Sequence, residues 1–399
     1  MQERHDLDVV LAAPVRTPIG KFGGALSPLS AADLGTAAAA AALSRAGLDA
    51  ARVDQVIFGH ARQAGGGPNT ARQIGHRAGV PDGSPAYTVN QACGSGLQAV
   101  LSAARTILNG EARVVLAGGT ESMSNTPYLL PRARWGYRLG HAEIVDGMYK
   151  DGFDDPLSGM VMGETAEELA AEDGIGRGEA DAYALASQRR CESARAAGRF
   201  DAEIVPVTVP GRKGETVVAE DEHPRGDATL AALAKLAPVF REGGTVTAGN
   251  ASGITDGAAA IVVASRQAAA ELGLPVVARL VGWQVVGVEP RIMGIGPVPA
   301  VERLLAETGV GLGEIDDVEL NEAFATQVLA CVKRLGLDPE RVNRDGGAIA
   351  LGHPIGATGA RILVTLLHGL AARGGRRGIA TLCVSGGMGL AAMVEMEAA

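Results

Sequence analysis

The chain has 399 residues, of which 20% are charged and 47% hydrophobic, so it is globular rather than disordered or fibrous, with room for two or three domains. Its formal net charge of −9 argues against a general nucleic-acid-binding protein, although a local basic patch for a phosphorylated ligand stays compatible with it. Four cysteines without metal-ligand spacing, no signal peptide and no apolar stretch long enough to span a membrane predict a reduced, cytoplasmic protein without a metal site.

Strand-like and helix-like patterns alternate over the first 80 residues. They predict strands at residues 8–13 and 53–58, a helix at 34–46 that ends at Gly47, and a second helix at 69–78. This alternation favours parallel α/β layers.

The stretch 87–110 places a cysteine where a short strand meets a helix with apolar residues at helical spacing. Cys93 therefore lies at a helix N-terminus, where unpaired N–H groups and the macrodipole are expected to favour the nucleophilic thiolate. The residues alone leave two alternatives. In the first, Cys93 is a small buried hydrophobic residue without a chemical role. In the second, residues 94–99 form a dinucleotide-binding turn, because they fit GxGxxA and Glu121 follows beyond the next strand.

The chain also repeats part of itself. Four residues recur at one constant offset: Leu43, Gly47, Asp54 and Val56 return as Leu305, Gly309, Asp316 and Val318. A Val-Asn pair (89–90 and 342–343) and a later Gly-Gly pair (118–119 and 386–387) also occur in both halves. We interpret the pattern as two copies of one α/β unit.

Between the copies, charged loops alternate with short helices predicted at 164–173 and 181–197. We interpret this segment as a substrate-handling insertion, with a solvated elaboration that contacts no ligand as the alternative. The sequence therefore predicts an N-terminal half at residues 1–122 and 254–276, an inserted loop domain at 123–253, and a C-terminal half at 277–399.

Three further stretches carry candidate chemistry. His353 lies in a glycine-flanked turn before a predicted helix at 357–370 and is a candidate base, or else a satisfied surface histidine. Cys383 lies at the end of an apolar predicted strand, and the glycine-rich turn that follows is a candidate anion-binding nest. The alternative is that Cys383 is a core cysteine. Asn321 follows the predicted strand of the second repeat and is a third candidate site residue. The alternative is that its side chain only caps a helix. The remaining cysteines, Cys191 and Cys331, are interpreted as core residues.

Six blocks of the sequence resemble the signature blocks of the thiolases, in family order over essentially the whole chain: NQACGSGLQAV, GGTESMS, GTVTAGNASG, NEAFA, GGAIALGHPIGATGARI and TLCVSGGMG. The likeness is closest to the acetyl-CoA acetyltransferase branch. It implies a duplicated five-layer αβαβα fold with an inserted loop domain. It also implies a reversible Claisen condensation of two acetyl-CoA to acetoacetyl-CoA and CoA, through an S-acetyl-cysteine. Coenzyme A thioesters are then the substrates, without a further cofactor, and the protein forms homodimers or homotetramers.

The resemblance also implies residue roles. Cys93 becomes acylated, His353 takes its proton, and Cys383 moves the α-proton of the second acetyl-CoA. A water held by Asn321, with His353, stabilises the enolate oxygen, and the backbone N–H groups of Cys93 and Ser385 stabilise the oxygen of the thioester on Cys93. Further expected contacts are Ser252 at the pantetheine, Arg225 near the nucleotide, and an acyl tunnel lined by Phe153, Met162, Met293, Ala323 and Phe324.

Two residues depart from the family pattern. Val161 stands where the biosynthetic acetoacetyl-CoA enzymes usually carry a histidine, which keeps a broader 3-ketoacyl-CoA thiolase of fatty-acid or aromatic degradation as the alternative function. Ser385 occupies a glycine position of the family's CxGGG turn, where a positive φ would strain it. A nicotinamide-dependent dehydrogenase is the alternative from another class, and a carrier-protein synthase is disfavoured because those enzymes typically use two histidines.

Overall fold

The computed structural model describes residues 9–212 and 214–397. The strands are β1 (Val9–Arg16), β2 (Gly20–Lys21), β3 (Gln55–Gly59), β4 (Ala86–Val89), β5 (Val114–Ser122), β6 (Tyr128–Leu129), β7 (Val145–Asp146), β8 (Asp154–Asp155), β9 (Met160–Val161), β10 (Val207–Gly211), β11 (Gly214–Val218), β12 (Thr255–Ser265), β13 (Val276–Gly287), β14 (Asp317–Leu320), β15 (Arg377–Val384) and β16 (Met388–Met396). The helices are α1 (Ala31–Ala46), α2 (Thr70–Arg77), α3 (Ser95–Leu108), α4 (Met162–Asp173), α5 (Arg177–Ala196), α6 (Leu230–Leu233), α7 (Arg266–Leu272), α8 (Pro297–Thr308), α9 (Ala325–Leu335), α10 (Ala348–Leu351) and α11 (Ile355–Arg373).

The predicted elements before residue 110 are confirmed, with small shifts at their ends. β1 continues to Arg16, and its predicted start at Asp8 lies outside the described residues. α1 ends at Gly47, which adopts a left-handed φ of 60° that glycine tolerates without strain. α2 begins after Asn69, whose side chain accepts a backbone N–H of the first turn.

One mixed ten-stranded sheet runs through the protein. Its strands follow the order β4-β3-β5-β12-β1-β13-β16-β15-β14, with β2 paired to β12. β3 pairs in parallel with β4 and β5, and β14 pairs in parallel with β15, whereas the central pairs are antiparallel. Because β1 pairs with both β12 and β13, the two α/β halves share a continuous sheet rather than holding separate ones.

Helices cover this sheet in three layers. α3 and α11 lie centrally in one hydrophobic cluster with strands of both halves. α1 and α2 pack on the outer face of the first half, and α8 and α9 on that of the second. Neighbouring strand residues face opposite layers, as Leu11 packs in the central cluster and Val10 in the outer one. α3 and α11 thus lie between the two halves of the sheet, and the outer helices cover the opposite face of each half, which gives the predicted αβαβα order of layers.

The internal duplication is visible in matching hydrogen bonds. Asp54 accepts the first two N–H groups of the β5 region at 2.7 and 2.9 Å. Asp316 accepts the corresponding groups at the start of β15 at 2.7 and 3.0 Å. Gly309 also ends α8 in the left-handed conformation that Gly47 adopts after α1. The repeated residues therefore perform the same structural tasks.

The other two landmarks of the repeat are not equivalent, so that part of the prediction is wrong. Val56 pairs with Ala86 in the first half. Val318 pairs with Val342 in the second, so Val342 corresponds to Ala86 and not to the valine of the first Val-Asn pair. The glycine pairs differ too, because the first lies inside β5 and the second forms the turn after β15.

Residues 123–253 contain α4, α5, α6 and three two-stranded sheets, β6 with β7, β8 with β9, and β10 with β11. The helices predicted at 164–173 and 181–197 are α4 and α5, and each begins slightly earlier than predicted. This segment packs on the second half, where α4 contacts α9 and the turn at 290–295, and α5 contacts α9 and α10.

α11 has the length and composition to cross a membrane, contrary to the expectation that no apolar stretch is long enough. However, 83% of its most apolar window is buried inside the protein. Its apolar sequence is accounted for by its place in the central helical layer.

Candidate active site

A cavity of about 470 Å³ opens where the two halves meet the 123–253 segment. It is lined by eleven of the twelve predicted site residues: Cys93, Phe153, Met162, Arg225, Ser252, Met293, Ala323, Phe324, His353, Cys383 and Ser385. Residues more than 290 positions apart in the sequence therefore meet at one site. The twelfth, Asn321, is buried and does not line the cavity.

Cys93 lies in the tight connection between β4 and α3. Ala92 before it has a φ of 44°, a strained value for a residue with a Cβ, and such strain is concentrated at functional positions. The following glycines do not face a ligand. A Cβ on Gly96 would lie 2.7 Å from the backbone nitrogen of Ala360, so this glycine allows α3 and α11 to cross closely. The GxGxxA pattern is thereby explained by helix packing, which disfavours the dinucleotide-binding interpretation.

The expectation of a lowered Cys93 pKa is wrong for this structure. Burial raises the pKa of the Cys93 thiol, while the Arg62 guanidinium and the backbone N–H groups of Ser385 and Cys93 lower it only in part. Those two N–H groups are the pair predicted to form the oxyanion hole, and they point at the sulfur. The resting nucleophile is consequently a neutral thiol that needs a base.

His353 is the base candidate, and its hydrogen bonds define its tautomer. The Thr358 hydroxyl donates to the Pro354 carbonyl at 2.9 Å, so its oxygen is left to accept from His353 Nδ1 at 2.6 Å. The proton therefore resides on Nδ1, and Nε2 carries the lone pair. Burial, with the charges of Arg361 and Arg62, lowers the pKa of His353 to about 3, so the imidazole is neutral at physiological pH.

The turn that holds His353 depends on one glycine. Gly352 has a φ of 104°, and a Cβ at this position would overlap the side chain of Thr255 on β12. The backbone N–H of His353 donates to Gly253 at 3.0 Å, which ties the turn to the AGNASG segment. These contacts hold the imidazole at the cavity wall.

Cys383 is the penultimate residue of β15 and is 1% exposed. Burial raises its pKa well above the ordinary value, and the nearby Cys93 charge raises it further. Each thiol thus disfavours ionisation of the other, which allows one thiolate at a time. The core interpretation of the other two cysteines fits their complete burial, which raises the pKa of both Cys191 and Cys331 to about 12.

Asn321 is 1% exposed, and both polar atoms of its side-chain amide have no hydrogen-bond partner among the described residues. An amide of this kind is available to bind a small polar ligand. The neighbouring Glu322 holds the loop of Asn321 in place. The Glu322 carboxylate accepts hydrogen bonds from the side chains of Tyr183, Ser187 and Asn343 at 2.7 to 3.1 Å. α5 is thereby bound to the loop that carries Asn321.

Ser385 does not need the glycine conformation. In the described chain the positive φ values of this turn fall on Gly386 and Gly387, at 84° and 83°, while Ser385 is outside the positive-φ set. The serine is therefore unstrained, and its N–H remains directed at Cys93.

The mouth of the cavity carries exposed cations. Arg225 and Lys21 are both exposed there, and Ser252 is held by a backbone hydrogen bond to Ala323 at 3.0 Å. Cations at the mouth suit the phosphates of a nucleotide-containing ligand.

Sequence reasoning missed several residues that line the cavity: Lys21, Phe22, Arg62, Met123, Tyr149, His223, Val239 and Phe240. Arg62 had a usable signal, because it follows the carboxyl end of β3, and ligands of α/β folds bind beside such ends. The others lie on loops or on elements too short to show a periodic pattern.

Comparison with known proteins agrees with this geometry. Residues 9–267 match the family model described as Thiolase, N-terminal domain, and residues 274–396 match Thiolase, C-terminal domain. The chain is 51% identical over 385 residues to an acetyl-CoA acetyltransferase of Pseudomonas aeruginosa, with 96% of this chain and 98% of that protein covered. Its structure is similar to that of the Bacillus anthracis acetyl-CoA acetyltransferase, with a TM-score of 0.96, 48% identity and 98% of both chains covered. For human mitochondrial 3-ketoacyl-CoA thiolase in complex with CoA the TM-score is 0.94, with 43% identity and 98% of both chains covered. The chain therefore belongs to the thiolase family.

Proposed function

We propose that this protein is an acetyl-CoA C-acetyltransferase that joins two acetyl-CoA molecules into acetoacetyl-CoA and CoA, and catalyses the reverse thiolysis. One observation carries the proposal: half-buried Cys93, buried Cys383 and a histidine with a defined tautomer meet in a single cavity whose mouth bears exposed cations. Relatives about 50% identical over nearly the full length bear the name of this activity, which supports the short-chain substrate over the broader degradative alternative.

In the first half-reaction, the Cys93 sulfur attacks the thioester carbonyl of acetyl-CoA as its proton passes to Nε2 of His353. The carbonyl oxygen becomes negative in the tetrahedral intermediate, and the N–H groups of Cys93 and Ser385 are placed to stabilise it. The carbon–sulfur bond to CoA then breaks, and CoA leaves as a thiol with the proton from Nε2. S-acetyl-Cys93 remains.

In the second half-reaction, Cys383 removes the α-proton of another acetyl-CoA. Its raised pKa makes the Cys383 thiolate strongly basic, and acetylated Cys93 can no longer ionise, so no second thiolate opposes that of Cys383. Asn321, with a water and His353, stabilises the enolate oxygen. The enolate carbon attacks the acetyl group on Cys93, the carbon–sulfur bond to Cys93 breaks, and acetoacetyl-CoA is released. The α-proton held by Cys383 passes to the Cys93 thiolate, which restores the starting thiol.

Both half-reactions use only the CoA thioesters and side chains of the protein, so the proposal includes no further cofactor. Arg225 and Lys21 would bind the nucleotide phosphates, and Ser252 the pantetheine arm, with the acyl group toward Phe153, Met162, Met293, Ala323 and Phe324. The proposed location is the cytoplasm, and neither nucleic acid nor membrane is a proposed partner.

We further propose a homo-oligomer, a dimer or a tetramer. Residues 128–149 form an arm with several exposed large apolar side chains: Tyr128 67%, Leu130 50%, Trp135 84%, Leu139 100% and Ile144 64% exposed. Apolar side chains grouped in this way favour a protein interface. The oligomer number is measured by size-exclusion chromatography with light scattering.

The test of function is thiolysis of 3-ketoacyl-CoA substrates of increasing length with free CoA. The proposal expects rapid turnover of acetoacetyl-CoA and a steep fall in kcat/KM beyond four carbons. Equal turnover of long chains would favour the degradative alternative. Absence of turnover with all of them would contradict the proposed function.

A further inference from the structure

Arg62 is a buried cation inside the cavity. It is 7% exposed, and it lines the cavity on the Cys93 side, where the wall is otherwise apolar, with Met123, Phe153 and Ile355. Its guanidinium packs against the backbone of Gly152, where an added Cβ would overlap it. A guanidinium at this place is withdrawn from water next to the reacting thiol.

This cation has no ion-pair partner in the described part of the chain. Its Nε is buried without a hydrogen-bond acceptor, and no described carboxylate lies within 4.0 Å of its guanidinium nitrogens. The acidic residue that acts on it from further away, Glu121, already accepts from His60 and from three backbone N–H groups. Glu121 therefore compensates the guanidinium only from a distance. A buried guanidinium without a contacting anion is costly, and a ligand carboxylate would pair with it directly.

Activation of Cys93 does not explain the charge. The Arg62 guanidinium lowers the pKa of Cys93 and also lowers that of His353. Proton transfer from Cys93 to His353 creates an anion that Arg62 attracts and a cation that it repels. The two effects oppose each other, so Arg62 supplies little net driving force to this step.

The phosphates of coenzyme A do not explain it either. The pantetheine arm separates these phosphates from the thioester sulfur, and the exposed Arg225 and Lys21 already stand at the mouth. An anion that reaches Arg62 while its thioester meets Cys93 has to lie on the acyl side of the thioester.

We infer that Arg62 binds a carboxylate at the far end of an acyl chain, so that the protein also accepts CoA thioesters of dicarboxylic acids. The inference rests on the proposed function. Cys93 attacks the thioester carbon, the bond to the CoA sulfur breaks, CoA leaves with the proton from His353, and a carboxylated acyl group remains on Cys93. Arg62 offers a planar pair of donors that matches such a carboxylate.

The experiment compares succinyl-CoA with butanoyl-CoA, which have the same chain length and differ in a terminal carboxylate or methyl group. Intact mass reports acyl loading as a gain of about 100 Da for succinyl and about 70 Da for butanoyl. The parent is expected to load succinyl about tenfold faster or more. In Arg62→Leu this preference is expected to reverse, whereas Arg62→Lys keeps the preference for succinyl.

Two further variants separate the charge from its surroundings. Gly152→Ala leaves Arg62 in the sequence but displaces its guanidinium, so it is expected to weaken the preference. Arg303→Leu removes an equal charge from the exposed surface of α8 and is expected to leave the preference at the parent value.

The outcomes distinguish this inference from the proposed function. Equal loading of both thioesters by the parent, or a faster reaction with butanoyl-CoA, would overturn the inference while acetyl loading still supports the function. An equal loss of succinyl, butanoyl and acetyl loading in Arg62→Leu would assign Arg62 to the reacting centre instead. If the parent fails to load acetyl from acetyl-CoA, both proposals fall.

Discussion

Thr358→Val removes a single oxygen from the group that orients His353. Valine has nearly the same shape as threonine, and Thr358 is completely buried on α11 outside the cavity wall, so substrate contacts are retained. The variant loses the acceptor that holds the proton on Nδ1 of His353. It therefore tests whether the tautomer, rather than the mere presence of the imidazole, determines the rate.

The magnitude follows from the burial of this pair. A buried N–H without an acceptor costs about 1–3 kcal/mol, which shifts the equilibrium toward the tautomer with the proton on Nε2. Only molecules with a free Nε2 lone pair can accept the Cys93 proton. At 1.36 kcal/mol per tenfold change, acetylation should slow by about 5- to 150-fold.

The assay is rapid-quench intact mass after mixing with acetyl-CoA, which separates the acetylation rate from acetyl-CoA affinity. Thr358→Ser keeps the hydroxyl and is expected to react within about threefold of the parent rate, since the same hydrogen bond can form. A Val variant that acetylates at the parent rate would refute the tautomer argument. So would a change confined to the apparent affinity.

Two other predictions concern the remaining catalytic groups. Cys383→Ala should still gain an acetyl group from acetyl-CoA, as measured by intact mass, yet form acetoacetyl-CoA about 10²- to 10⁴-fold more slowly in a coupled product assay. The reason is that the variant removes only the proton transfer of the second half-reaction. Loss of acetyl loading would contradict the assignment. The pKa of His353 is lowered in the folded state to about 3 from an ordinary 6.5, so the unfolded chain binds the extra proton and stability falls as pH drops below 6.5. Between pH 7 and pH 5 this group should cost about 2 kcal/mol, so urea unfolding of the parent should lose that much more stability than His353→Asn, and parallel losses would count against a neutral buried imidazole.

Much of the fold could be predicted because its signals are local. The offset between Asp54 and Asp316 identified the duplication, and both aspartates cap the start of an equivalent strand. The Val-Asn and Gly-Gly landmarks failed because equivalence in a sheet is set by strand register, which short dipeptides do not encode. The pairing of Val318 with Val342 was needed to align the copies.

The site could be predicted as a set of residues but not as an electrostatic environment. Cys93 was placed correctly before α3, yet its pKa is raised, because burial by residues distant in the sequence outweighs the helix N-terminus. The tautomer of His353 depends on a hydroxyl one turn into α11, which becomes visible only with the side chain in place. Arg62 was missed since a single arginine in a glycine-rich loop shows neither its burial nor its lack of a partner.

The central claim is that Cys93 carries the acyl group, and one measurement tests it most directly. Parent protein and Cys93→Ala are each mixed with excess acetyl-CoA, and their intact masses are compared. The account predicts a gain of about 42 Da in the parent alone, as expected of covalent nucleophilic catalysis. No gain in the parent, or the same gain in both proteins, would contradict it.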